Sequence, residues 1–234
     1  MTTLSDLVSA IDEIIDDAKY TEQIIVKRIN SAVREIAGGI RMPDNSISPP
    51  LPDLFAMGTV STSTTLPYVS LPADYQRKVT LVYDGTNFKI EPPSGGDYYS
   101  FALFMRNASR MDLGEAGSVY AVAVKGSKLY YQGIPAASAT LGVHYYRKPV
   151  NMEADADVPD GIPDHLAERL IKYYVIKCIY GDMIEAGVNE PAKGFQYHEA
   201  QFYQAMTDLC DFIGIDAIPT YYGSGGYQDA GACD

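Results

Sequence analysis

The chain has 234 residues, 47% of them hydrophobic and 11% aromatic, with 30 acidic against 18 basic side chains and a formal charge of −12. That content can bury the core of one large domain or two small ones, and it excludes general disorder. The acidic balance excludes a free-standing nucleic-acid binder, which needs a basic stripe to neutralise phosphates.

Residues 4–18 predict an amphipathic helix, with Leu4, Leu7, Val8, Ile11, Ile14, Ile15 and Ala18 at helical spacing. Thr3 is its expected N-cap, and Asp6 lies in the first turn. Thr21 is placed to cap a second helix carrying Ile24, Ile25, Arg28, Ile29, Ala32, Val33 and Ile36, which Gly38-Gly39 would end. Two short helices with a tight link predict an antiparallel hairpin. Their outer faces differ in charge: Asp12, Glu13, Asp16 and Asp17 on the first, Lys27, Arg28 and Arg34 on the second. Either both faces are simply solvated, or they attract each other within the chain or between neighbouring copies. Asp12, Asp16, Arg28 and Arg34 are therefore the candidate partner-binding residues here.

Residues 42–57, MPDNSISPPLPDLFAM, read as an extended linker. From about 58 to 148 the pattern turns to strands, in the runs STSTTLPYVSLP, RKVTLVYDGTNFKIEPP, YYSFALFM, VYAVAVKGSKLYYQG and TLGVHYYRKP. Asp84-Gly85 and Lys125-Gly126-Ser127 are hairpin signals, and Val79, Leu81 and Tyr83 alternate as in a half-buried strand. Five tyrosine pairs stand out, Tyr98-Tyr99, Tyr130-Tyr131, Tyr145-Tyr146, Tyr173-Tyr174 and Tyr221-Tyr222. Within strands, adjacent tyrosines point to opposite faces, so such a pair touches core and surface, either as sheet packing or as a subunit contact.

Helices return at 164–186, with Leu166, Leu170, Tyr173, Tyr174, Ile176, Lys177 and Ile179, a Glu168–Lys172 pair, and Gly187 as the stop. A last helix spans about 193–213, with Phe195, Phe202, Met206, Leu209 and Phe212 or Ile213 as its buried set. The tail IPTYYGSGGYQDAGACD is glycine-rich and aperiodic. The order predicts an α+β fold: an antiparallel helical bundle made by N- and C-terminal helices, with a small antiparallel β domain inserted. The expected units are 1–57, helical hairpin and linker; 58–150, the β insertion; 151–213, the helices completing the bundle; and 214–234, the tail.

Little catalytic chemistry survives a check of spacing. NMEADADVPDGIPDHLAERL, residues 151–170, carries Glu153, Asp155, Asp157, Asp160 and Asp164. An EF-hand counted from Asp155 needs glycine at its sixth position and a bidentate glutamate at its twelfth; Asp160 and Leu166 stand there. The better reading is that Asp160 or Asp164 caps the next helix, beside Pro163 in its first turn. His198-Glu199-Ala200-Gln201-Phe202 puts Phe202 where a zinc protease needs its second histidine. No GxSxG, GxxxxGK[ST] or GxGxxG occurs. Paired carboxylates for glycoside chemistry stay open, though the chain lacks tryptophan to stack on sugar. Cys178, Cys210 and Cys233 are odd in number, widely spaced and without a CxxC, which indicates neither zinc nor a disulfide framework and points to a reducing compartment. The N-terminus does not read as a signal peptide, and no apolar run reaches membrane-spanning length. No metal, cofactor or catalytic residue is expected.

Five segments, in order, carry a resemblance. They are TLSDLVSAIDEIIDD followed by EQIIVKRINSAVREIAGG; LPADYQRKVTLVYDG; GSKLYYQGIP followed by LGVHYYRKPV; DADVPDGIPDHLAERLIKYYVIKCIYGDM; and KGFQYHEAQFYQAMTDL. Spread over residues 3–213, they resemble the head-to-tail adaptor (head completion, or connector) proteins of tailed bacteriophages. Sister neck proteins, such as tail tubular or stopper proteins, share this looser pattern of order and spacing. The resemblance implies a virion protein assembled in the host cytoplasm and placed at the head–tail interface. It implies a dodecameric ring of copies below the portal protein, an extended channel through which DNA passes without specific binding, a platform for tail or nozzle proteins, and no catalytic site. It also implies a C-terminal segment docked on the portal, with Tyr221, Tyr222 and Tyr227 as anchors. This tail is short and glycine-rich, which departs from the family's pattern. The rival readings are a β-rich ligand- or receptor-binding module and a metal-dependent hydrolase using Asp155, Asp157 or His198.

Overall fold

A computed structural model describes residues 1–15, 17–93, 97–108, 114–186 and 192–214. Helix α1, Leu4–Ile15, opens with a reciprocal cap: Asp6 N–H donates to Thr3 Oγ1 at 3.2 Å, and Thr3 N–H donates to Asp6 Oδ2 at 2.9 Å. Leu4, Leu7, Ile11 and Ile15 form its buried stripe. The helix stops three residues before the expected 18. Asp17 takes the N–H of Lys19 on its side chain and that of Tyr20 on its carbonyl, an Asx-type turn that competes with the helix. Ile14 and Ala18 are left exposed, and Tyr20 is buried instead.

Helix α2, Glu22–Gly38, buries Ile25, Ile29, Ala32, Val33, Ile36 and Ala37. Thr21 is its N-cap by backbone alone, since its side chain makes no capping bond. Residues 42–54 do not behave as a free linker. Ile40 and Ser48 are tied by two hydrogen bonds of 2.9 Å, and Ser48, Leu51 and Leu54 are buried. Apolar burial holds the proline-rich path against the helices, and strand β1, Phe55–Ser61, starts three residues before the expected 58.

Two three-stranded antiparallel sheets follow. The first has the order β1, β6 (Thr140–Arg147), β3 (Tyr75–Tyr83); the second has β2 (Tyr68–Ser70), β5 (Lys128–Gln132), β4 (Ala121–Lys125). They share one core that includes Val60, Val82, Val122, Leu129, Tyr131 and Val143. The Gly126-Ser127 turn joins β4 to β5, with Gly126 at φ +60°, where a side chain would be strained. Strand β3 does not keep the expected alternation. A register shift between Arg77 and Leu81, with Lys78 at φ +48°, buries Val79 and Val82 and leaves Leu81 and Tyr83 half-buried. Val79 N–H then donates to Tyr99 Oη at 2.6 Å and Val82 N–H to Tyr98 Oη at 3.2 Å. The Tyr98-Tyr99 pair thus satisfies backbone donors along β3.

The run YYSFALFM is not a strand. Helix α3 spans Phe101–Ala108, and Phe104 N–H bonds to Ser100 O at 3.0 Å. Its interior has no β-branched residue, and Phe101 and Phe104 share a face at i,i+3 spacing.

Helix α4, Asp164–Glu185, and helix α5, Ala192–Ile213, supply the rest of the second core. That core joins Leu7 and Ile11 of α1, Ile25 and Ile29 of α2, Leu170 and Ile176 of α4, and Phe202 and Met206 of α5. The Glu168–Lys172 pair forms at 2.7 Å. Phe195 is half-buried, and Phe212 is 60% exposed against the His165 ring; Ile213 packs on the core in its place. Gly187 lies outside the described residues. Among the described residues the chain is α+β, with five α-helices and two small antiparallel sheets.

Strand β6 serves both cores. Tyr145 is buried among the sheets, and its neighbour Tyr146 is buried among the helices. The tyrosine pair was expected to face core and surface; here each of its two faces meets a core. Asn30 adds a second tie. Its Nδ2 donates to Met152 O at 3.0 Å, and its Oδ1 accepts Met152 N–H at 2.8 Å. Asn30→Ala leaves both backbone groups without that partner and should lower the unfolding free energy by about 2 kcal/mol in urea titration.

Candidate assembly interface

The acidic segment 151–170 is a joint rather than an ion site. Arg147 reaches Asp160 through two nitrogens, at 2.6 and 3.0 Å, and Val150 N–H donates to the same carboxylate at 2.8 Å. Burial disfavours the Asp160 charge, but Arg147 and this N–H outweigh it and hold its pKa below the ordinary value of 3.8. Asp157 Oδ2 accepts the N–H groups of Glu153 and Ala154 at 2.7 and 2.8 Å, which likewise lowers its pKa. The carbonyls of Asp157 and Asp155 take the N–H groups of Leu4 and Ser5 at 2.8 and 3.1 Å. The loop therefore satisfies orphan donors of α1.

The expected cap of α4 is corrected. Pro163 is the N-cap and makes no side-chain capping bond, while Asp164 Oδ1 accepts Thr2 N–H. A proline at that position removes the side-chain option, and its carbonyl accepts Leu166 and Ala167 N–H instead. Gly161 makes the turn before it at φ +81°, and an added Cβ would sit 2.6 Å from Leu54 Cγ. Among the described residues no group of three or more His, Cys, Asp and Glu side chains is placed to hold a metal ion.

His198 sits among the rings of Tyr173, Tyr180 and Tyr197, at 5.7, 5.5 and 5.1 Å. Burial, and then Lys172, push its pKa down, so the ring is held neutral. Phe202 is fully buried. The near-miss zinc motif is thus core packing along α5.

The charged helix faces separate. Arg28 pairs with Asp182 of α4, so its charge is engaged inside the chain. Arg34 is exposed, and its Nε donates to Asn30 O at 3.2 Å. Asp12 and Glu13 are exposed, and no ion pair joins α1 to α2 among the described residues. Asp16, Tyr221, Tyr222 and Tyr227 lie outside the described residues.

Two further surfaces escaped the sequence reading. On the outer face of the first sheet, Phe55 and Tyr83 each meet His144 edge-on at 5.4 Å, beside Met57, which is 69% exposed. Phe55 and Met57 lie within the stretch read as linker. On the second sheet, Phe101 and Tyr68 flank Tyr130 at 4.8 and 5.4 Å, next to the β4–β5 turn. The KGSK turn signalled the hairpin, but its spacing does not reveal the rings beneath.

The chain thus has two cores tied through one strand and one loop, with charged and aromatic faces exposed. A model of the SU10 adaptor protein family matches residues 2–224. The chain belongs to that family, a family of phage head-to-tail adaptors. Among curated proteins no relative matches it. Among the described residues no helix is long and apolar enough to cross a membrane.

Proposed function

We propose that the chain is a structural adaptor whose copies form a ring, a dodecamer by family resemblance, that joins the portal protein to tail or nozzle proteins. The observation that carries this reading is the family match over residues 2–224. In this reading 1–57 and 151–213 form an antiparallel bundle, 58–150 is the inserted β domain, and 214–234 is the tail that meets the portal. The position is the head–tail interface of the virion. A charge of −12 per copy, repeated around a ring, surrounds the channel with negative potential, so DNA slides through without specific binding.

No catalytic step is assigned. Of the residues the hydrolase reading would use, Asp157 is committed to the N–H groups of Glu153 and Ala154, and His198 is enclosed by tyrosine rings. Arg28 is committed to Asp182, so Arg34 is the better of the two arginines for a contact between copies. The test is co-elution of the purified chain with portal protein on a sizing column with light scattering. A joint ring-sized species is expected. A chain that stays monomeric and never co-elutes would end this reading.

A further inference from the structure

The hairpin between β4 and β5 places two lysines directly opposite each other, Lys125 against Lys128. Like charges in that position destabilise a sheet. Neither makes an ion pair among the described residues. Each is parked over a ring instead: Lys125 Nζ lies 4.7 Å from the centre of Phe101, and Lys128 Nζ lies 4.1 Å from that of Tyr68. Lys125, Gly126 and Ser127 are exposed, and nothing stands within 4 Å of where a Cβ at Gly126 would be. The tip is an exposed basic turn on an acidic protein, tied on one side by Leu71 N–H, which donates to Ser127 O at 2.9 Å.

The link between α1 and α2 has the opposite character. Asp12, Asp17 and Glu22 line one shallow hollow with Tyr20. All three carboxylates are exposed, and none forms an ion pair among the described residues. Tyr20 is only 5% exposed, and its hydroxyl has no hydrogen-bond partner among the described residues. Arg28, the cation of α2 expected to answer this acidity, is occupied by Asp182, and Lys19, the cation of the link itself, lies with its Nζ 5.6 Å from the centre of the Tyr20 ring.

We propose that the Lys125–Lys128 hairpin tip of one copy seats in the acidic hollow of Asp12, Asp17, Glu22 and Tyr20 on the next copy. This inference rests on the ring reading and names its contact. Two ammonium groups meet three carboxylates, and an exposed turn meets a concave site. Because turn and hollow are different patches of the same chain, the contact is head-to-tail, the kind that closes a ring. Two lysines would neutralise only about two phosphates, so nucleic acid is the poorer match for the tip on a chain of this charge.

The test uses the full chain and reads assembly by sedimentation velocity, alone and with portal protein, at low and high salt. K125E/K128E and D12K/E22K should each weaken assembly by about tenfold or more at low salt. The four changes together should restore it, because the charges are exchanged. K125Q/K128Q, which adds no acidic charge at the tip, should lose most of the salt dependence and serves as the control for folding. Assembly of K125E/K128E equal to the unmodified chain, or a fourfold variant no better than its parents, would overturn the contact while leaving the ring itself standing. Loss of binding to a short labelled DNA duplex, with assembly unchanged, would likewise overturn it and assign the tip to nucleic acid. An unmodified chain that forms no ring, alone or with portal, removes the adaptor reading first and this contact with it.

Discussion

Replacing Phe202 with alanine lowers the unfolding free energy by about 3–5 kcal/mol. The side chain is fully buried on α5 and meets Tyr174 of α4 edge-on, with ring centres 5.0 Å apart. Lys177 Nζ sits 4.4 Å from the centre of the same ring, and Tyr203 packs beside it at 5.5 Å. Lys177 has its pKa lowered by burial, so removing the ring also exposes a cation that the aromatic wall now shelters. The cavity falls where α4 and α5 share the helical core, and loss of the cation contact adds to the loss of apolar burial. Equilibrium urea unfolding reads the change. Phe202→Leu, which keeps most of the volume, should lose less than half as much. A loss below about 1 kcal/mol for the alanine variant would mean that α5 is not packed as described.

Arg147→Met should cost about 2–3 kcal/mol, because it leaves the partly buried Asp160 carboxylate with only the Val150 N–H. Its effect should be larger than that of losing the Glu168–Lys172 pair, which lies within one helix and whose carboxylate is exposed. The sign of the pH dependence follows from Asp160. Its folded pKa lies below its ordinary value of 3.8, so its stabilising contribution is complete above that value and is lost as pH falls through the folded one. In Arg147→Met, burial acts with less opposition and the folded pKa rises, so less stability is lost on acidification than in the unmodified chain. Melting temperatures followed from pH 7 down to about pH 3 should show the variant clearly below the unmodified chain at neutral pH and the two curves drawing together on the acidic side. A separation that stays the same across the acid limb would mean that Arg147 does not hold the Asp160 charge.

The parts legible in sequence are those coded locally. Thr3 and Asp6 cap α1 three residues apart, and the 3.6-residue stripes place α2, α4 and α5 to within a residue or two. What failed was decided by distant partners. Arg77 looks like an ordinary strand residue, yet its guanidinium donates to Ser48 O at 2.9 Å and reaches Ala37 O at the end of α2. Burial lowers its pKa, and the bulge at Lys78 resets the register on its far side. Asn30 holds Met152 across more than a hundred residues, a pairing no periodicity reports. The aromatic content of 98–105 resembles strand composition, but residues 101–105 carry no β-branched side chain and lie in a helix.

The assembly surfaces were legible in kind rather than in place. Charge contrast between the first two helices was visible, but α4 supplies Asp182 to Arg28, and no local pattern foretells that. The exposed Asp12 and Glu13 of α1 form no ion pair among the described residues. The Lys125–Lys128 tip was visible as a turn; only the rings of Phe101 and Tyr68 beneath it show how two like charges are kept side by side.

The central claim is that this chain is a structural adaptor between head and tail. Electron cryomicroscopy of the purified chain mixed with portal protein tests it most directly. The account predicts an added ring, coaxial with the portal and in register with its subunits, with an open channel. Portal particles without added density, or single copies scattered on the portal surface, would contradict it.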